Sequence, residues 1–273
     1  MKKLIFYALS LLVVIILYAG AVSPTLSNLG YLREIPATGG ANDLISKNSC
    51  EPGTDTAFRT NLIGAASIGF QLAAPWLRPW RCSWGATAQE MKLNLPGDIL
   101  VNDPRWSYTR AITIAAPRTE VWPWLVQIGQ NRGGSYSYAG LENLIGCEIH
   151  NADTIIAEFQ NLEVGTEIYL HPETPPLPVV AMQPGHWFIL YANGIIDDAD
   201  DVENLTTDLT WAFYLMEIDA QHTRMLVRGR YKYGDRLAER LSYGPMLVEP
   251  LAFVMERRML RGIKYRAENS PVR

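Results

Sequence analysis

From Ser107 to Tyr233 the chain alternates short β-rich runs with turn-forming clusters, then ends in an amphipathic helix, and few folds accept that order. The first strand, Ser107–Ala115, closes at Pro117. Two helices follow it. In the first, residues 118–128, Val121, Trp124, Leu125 and Ile128 recur at helical spacing, and Glu120 sits in the opening turn where the helix dipole favours an acid. The second, Tyr138–Ile145, stops at Gly146. Six more strands read from the patterning: Thr154–Phe159, Glu167–Leu170, Val179–Met182, Trp187–Ala192, Leu209–Ile218 and Thr223–Tyr233. Pro172, Pro175, Pro176 and Pro178 break one connection. The acidic run Asp197–Asp201 lies in another, without the spacing of a Ca²⁺ loop. In the strand from Leu209, Trp211, Phe213 and Leu215 share one face, while Ala212, Tyr214 and Met216 share the other. Both faces are apolar, as expected where a helix covers one or a cavity lies beneath it. From Asp235 to about Glu268 the chain reads as helix, interrupted near Pro245 and Pro250, with Ala252, Met255, Met259 and Ile263 on one side. The expectation is an α+β domain in which a curved antiparallel sheet of about seven strands wraps a long C-terminal helix.

The N-terminus is of a different kind. Lys2 and Lys3 precede an almost uninterrupted apolar run from Leu4 to Tyr18 and on to Val22, and such a segment enters a membrane. Residues 1–22 read as an uncleaved anchor, because the run approaches the roughly 20 residues that a span needs. Ala19-Gly20-Ala21 also fits a signal-peptide cleavage site. Residues 23–61, rich in Gly, Ser, Asn, Thr and Pro, read as a connector. A second apolar run, Leu62–Leu77, carries Gln71 and Pro75 and is followed by Arg78 and Arg81, so 62–80 is a candidate second membrane helix. With two spans, the positive-inside rule places Lys2, Lys3, Arg78, Arg81 and the main domain on the cytoplasmic side; with one span the domain lies outside. The main domain is expected over 81–268, followed by a tail, 269–273.

With 273 residues and 48% hydrophobic side chains, the chain has enough apolar material for one sizeable core. Its net charge of −4 argues against nucleic acid as a partner. Cys50, Cys82 and Cys147 lie far apart and suggest three free thiols. There is no nucleophile elbow, P-loop, dinucleotide fingerprint or H-E-x-x-H pattern.

The residues able to carry chemistry cluster around the two helices. His150 lies close in sequence to Glu142 and Asp153, with Glu158 beyond. Such a group can shuttle protons, bind a metal with Cys147, or simply tie a corner together. Arg132 before Gly133-Gly134 can hold a carboxylate or phosphate, or fix its own loop by pairing with Glu142 or a backbone carbonyl. Tyr136 and Tyr138 suit a cavity mouth. Trp187, Tyr191, Trp211, Phe213 and Tyr231 are the strand aromatics that line a cavity or fill a core. Arg228 and Arg230 either face solvent or pair with an acid such as Glu217. Arg257, Arg258, Arg261, Lys264 and Arg266 concentrate positive charge near the apolar face of the C-terminal helix, suited to solvent or to an anionic membrane surface.

Several segments are similar to a bacterial branch of the START-like (SRPBCC) superfamily, whose members include proteins of the polyketide cyclase/dehydrase and lipid-transport kinds. They are Arg81–Thr87, Leu95–Asp98, Val121–Gln130, Asn131–Tyr138, Leu141–Asn143 and Glu148–His150, with Val121–Asn143 the most specific. The resemblance covers residues 81 to about 268. It implies a helix-grip fold with a deep apolar cavity between sheet and C-terminal helix, and ligands such as lipids, sterols or polyketides. It does not imply one chemistry. Ala139 and Gly140 depart from the pattern, which has an acid followed by tryptophan there.

Three functions follow as expectations. The first is a module, tethered to a bacterial inner membrane, that binds or transfers a hydrophobic small molecule or lipid without a cofactor. Arg132, Tyr136, Tyr138, Trp187, Tyr191, Trp211, Phe213 and Tyr231 are its candidate ligand contacts. The second is a cyclase, dehydratase or isomerase that uses His150, Glu142 or Tyr138 as acid or base. The third is a membrane-associated scaffold whose cavity is filled by its own Trp and Phe side chains.

Overall fold

A computed structural model describes residues 54–172, 174–195 and 206–270. The apolar run Leu4–Val22, the connector as far as residue 53, Cys50 and the acidic run 197–201 lie outside the described residues. Helix α1 (Thr54–Ala73) and a 3-10 turn (Pro75–Leu77) lead into the short helices α2 (Arg78–Cys82) and α3 (Ala88–Lys92). Strand β1 (Trp106–Ile114) follows, then α4 (Arg118–Val126) and α5 (Ala139–Leu144). The meander is β2 (Glu167–Ile168), β3 (Leu177–Gln183), β4 (Trp187–Ile195), β5 (Thr206–Asp219) and β6 (His222–Tyr233). Helices α6 (Leu237–Tyr243) and α7 (Val248–Asn269) close the chain.

The sheet has the order β1-β6-β5-β4-β3-β2 and is antiparallel throughout. Its inner face packs on α7 and α4. Phe188, Leu190, Phe213, Leu215, Met225 and Val227 from the strands meet Met259, Leu260 and Ile263 of α7, with Val121 and Leu125 of α4. This is the α+β arrangement expected, with six strands in place of about seven. Residues 154–159 form a loop ending in a 3-10 turn, Ala157–Phe159. The Gln127 side chain supplies the partners that a neighbouring strand would: its Nε2 donates to the Thr154 carbonyl at 3.1 Å, and its Oε1 accepts from Ile156 N at 2.9 Å.

The candidate second membrane helix is instead part of the folded helical layer. Residues 62–77 belong to α1 and the turn after it. Ala65 and Ile68 of α1 are buried in a cluster with Leu141 of α5 and Phe253 and Val254 of α7. Arg81, read as a flanking cation, is 1% exposed. Its Nε donates to Glu249 Oε1 at 2.7 Å, and its Nη1 donates to the Gln71 and Ala74 carbonyls at 3.1 and 3.0 Å. A guanidinium so enclosed binds α1 and α7 together and is not available at a membrane surface. Among the described residues no helix is long and apolar enough to cross a membrane. Helix α1 thus takes in residues from Thr54 on, inside the stretch read as connector.

The outer sheet face is covered by residues 86–102. Arg228, 3% exposed, donates to Asp98 Oδ2 at 2.6 Å and to the Leu93 carbonyl at 2.7 Å. Arg230 donates to the Val101 carbonyl at 2.9 Å, and Arg224 to Glu90 Oε1 at 2.7 Å. Neither Arg228 nor Arg230 faces Glu217, which lies 3.9 Å from Arg118 instead.

Candidate functional site

Inside the grip, one carboxylate collects the polar groups. Glu256 lies on the α7 face turned to the sheet and is 5% exposed. Its Oε2 accepts from Tyr108 Oη at 2.7 Å and from Trp211 Nε1 at 2.9 Å. Its Oε1 accepts from Arg110 Nη1 at 3.0 Å. Arg110 is fully buried; its Nε donates to the Arg81 carbonyl at 2.9 Å, and its guanidinium lies 3.9 Å from the Tyr108 ring centre. Its Nη2 is buried with no hydrogen-bond partner among the described residues.

Strand register explains the convergence. Tyr108 on β1 pairs with Gly229 on β6, and Gly229 pairs on its other side with Trp211 on β5. The two aromatic residues therefore flank a position without a side chain. A Cβ at Gly229 would lie 2.3 Å from the Tyr108 ring, so the glycine is what lets that ring cross β6.

Aromatic side chains surround the carboxylate. Trp106 and Tyr231 stack at 4.2 Å with an interplanar angle of 5°, and Trp211 lies 4.7 Å from Phe213. Tyr108 and Phe213 are buried, whereas Leu209, Trp211 and Tyr231 keep partial exposure, so the interior reaches solvent at this end of the sheet. There an open cleft of about 330 Å³ is lined by Arg105, Tyr233, Arg240, Pro245 and Met246. Helix α6 borders it, and Trp106 Nε1 donates to the Tyr243 carbonyl at 2.8 Å. Burial, reinforced by the Glu256 charge, pushes the Tyr231 hydroxyl up to about 12 and the Tyr108 hydroxyl well above its usual range. Burial works against the Arg110 charge, but the adjacent Glu256 carboxylate outweighs it, so Arg110 is held above its ordinary value. The two phenols therefore stay neutral and the guanidinium stays charged across the physiological range.

The fold is a helix grip. Strand order and the α7 helix that the sheet enfolds carry that description by themselves. No family model matches the chain. No curated protein matches it at a significant level. Solved structures matched by the chain include a protein of Mesorhizobium loti, 15% identical with a TM-score of 0.35, covering 61% of this chain and all of that one. The Zhui aromatase/cyclase from Streptomyces sp. R1128 is 12% identical with a TM-score of 0.26, covering 60% of this chain and 93% of its own. Norcoclaurine synthase from Thalictrum flavum, solved with dopamine and hydroxybenzaldehyde, is 13% identical with a TM-score of 0.31, covering 66% and 97%.

The sequence-based candidates divide by position in this grip. Trp211, Phe213 and Tyr231 lie on the inner face around Glu256. Trp187 and Tyr191 lie on the outer face: Trp187 Nε1 donates to Gln183 Oε1 at 3.1 Å, and Tyr191 Oη to Asp208 Oδ1 at 3.1 Å. Arg132 pins its own loop, with Nη2 donating to the Val126 and Phe159 carbonyls at 3.0 and 3.3 Å, and not to Glu142. Tyr136, with φ of 52°, is buried under the Arg266 guanidinium; its Oη accepts from Gln127 Nε2 at 2.7 Å, and burial pushes it up to about 12. The Tyr138 ring packs under Gly64 of α1. Glu142 accepts from Ser137 Oγ at 3.3 Å, and its carboxyl is buried with no cation beside it among the described residues. His150 is exposed, and no hydrogen bond joins it to Glu142 or Tyr138. Asp153 pairs with Arg266 at 2.8 Å. Among the described residues no three His, Cys, Asp or Glu side chains are grouped as a metal site. Tyr108, Arg110 and Glu256 were not singled out from the sequence. The one signal for them was an arginine in the middle of an apolar strand and an acid on the sheet-facing side of the last helix.

Proposed function

We propose that the chain binds an apolar or aromatic small molecule between the sheet and α7. The ligand enters past the Arg105–Met246 cleft and rests on Trp106, Trp211 and Tyr231, with its polar end at the Arg110–Glu256 pair. The observation that carries this reading is the pair itself. Burying an Arg–Glu pair costs several kcal/mol of desolvation per ion, and well-packed apolar residues in its place are often as stable or more so. A charged knot with one spare buried donor, set among partly exposed aromatic rings, is better explained by recognition than by stability. The apolar run Leu4–Val22 would keep this domain at a bilayer, where such ligands dissolve.

The test is mass spectrometry of an organic extract from the full-length protein, purified from cells in mild detergent. The expected result is about one apolar or amphipathic molecule per chain, reduced at least tenfold in Trp211→Ala. A folded protein that carries nothing, and takes up nothing from a total lipid extract, would leave the scaffold reading in its place.

A further inference from the structure

Outside the grip, α1 turns an apolar face to solvent. Ile63, Ala66, Phe70 and Ala73 recur at spacings of three and four residues and are all exposed, so they share one side of the helix. Ala65 and Ile68, on the other side, are buried against α5 and α7. The exposed stripe continues through Pro75 into Trp76 and Trp80. Ile63, Phe70 and Trp76 are 61, 59 and 72% exposed. Single exposed apolar residues are ordinary, but a continuous stripe of them marks a binding surface.

Within the segment that carries the stripe, charge is of one sign. No acidic residue occurs from 57 to 82, and the exposed Arg59 opens the stripe. Helix α7, on which the other side of α1 packs, adds two exposed arginines. Arg258 lies 5.8 Å from the Tyr138 ring, which packs under Gly64 of α1. Arg261 lies 5.7 Å from Trp84, whose ring meets Phe253 alongside Trp80.

We propose that this face lies on the surface of an anionic bilayer. The stripe sits at the boundary between headgroups and acyl chains, the two indoles occupy the interface, and Arg59, Arg258 and Arg261 meet lipid phosphates. Charge complementarity selects this occupant over two others. A second copy related by a two-fold axis would set Arg59, Arg258 and Arg261 against their own images. The chain's own run Leu4–Val22 carries no charge for those arginines to meet. A helix lying in the interface also accounts for an apolar face on a helix that does not span. The surface is separate from the Glu256 site, so either can fail without the other.

The experiment places p-benzoylphenylalanine in place of Phe70 in the full-length chain, reconstituted in vesicles of phosphatidylethanolamine and phosphatidylglycerol. Irradiation is followed by mass spectrometry of the adducts. Phospholipid adducts at position 70 are expected at least fivefold above those from the same probe in place of Ile218, an exposed residue at the end of β5. They are expected to fall severalfold in phosphatidylcholine vesicles and in Arg258→Glu/Arg261→Glu. Crosslinks to residues 4–22 or to a second copy, equal yields at positions 70 and 218, or a yield indifferent to charge would each overturn the proposal.

Discussion

A carboxyl buried without a cation gives up its proton late, and Glu142 is such a group. Burial pushes it up to about 7, although Ser135 and Ser137 hydrogen bonds pull the other way. In the unfolded chain it ionises near 4.5. Between those values the folded state holds a proton that the unfolded state has lost, so this contribution to stability is full below about 4.5. It declines as pH rises and is gone above about 7. At about 1.4 kcal/mol per unit, the loss is roughly 3 kcal/mol. Glu142→Gln should abolish it: urea midpoints measured at pH 5 and pH 8 will differ less in the variant, and the variant will be the more stable protein at pH 8. Equal slopes in both proteins would refute this account. The same residue shows what sequence proximity conveys. Glu142 and His150 are neighbours in the chain, but one carboxyl turns inward and the other side chain turns to solvent. The Arg110–Glu256 pair spans 146 positions, and nothing local announces it.

At the scale of elements, periodicity located the strands and helices because each buries one face. The strand from Leu209 and the helix with Met255, Met259 and Ile263 appear where the alternation places them. The expected strand at 154–159 fails because Gln127, a side chain from another element, supplies its hydrogen bonds. Inner and outer faces were not distinguishable either: Trp187 and Trp211 look alike in sequence, and only the β4–β5 register sets one outside and the other inside. Register also makes Gly229 the hinge of the site. Gly229→Ala adds a Cβ that the Tyr108 ring already excludes, so β1 and β6 must shift or the ring must leave Glu256. A loss of about 1 to 3 kcal/mol is expected from such overpacking, together with a changed near-ultraviolet circular dichroism signal from the Trp106–Tyr231 stack. Unaltered stability and spectrum would mean that the convergence on Glu256 does not depend on this contact.

Across the whole molecule, two buried acids on α7 each draw a distant segment to one helix. Glu249 holds Arg81 and Arg78 from the N-terminal layer, and Glu256 holds Arg110, Tyr108 and Trp211 from the sheet. The apolar run that the sequence offered as a candidate second membrane helix is recruited to this framework through the first of them. The second stands where the aromatic interior opens, and it is the centre of the proposed binding site. The decisive measurement is native mass spectrometry of ligand occupancy in the full-length protein and in Arg110→Met/Glu256→Leu, both in mild detergent. Replacing both partners with apolar side chains leaves no charge stranded, so the variant should fold with a stability at least near the parent's. The account predicts a folded variant whose bound ligand is lost. Parental occupancy in that variant would contradict it and reduce the pair to a structural tie.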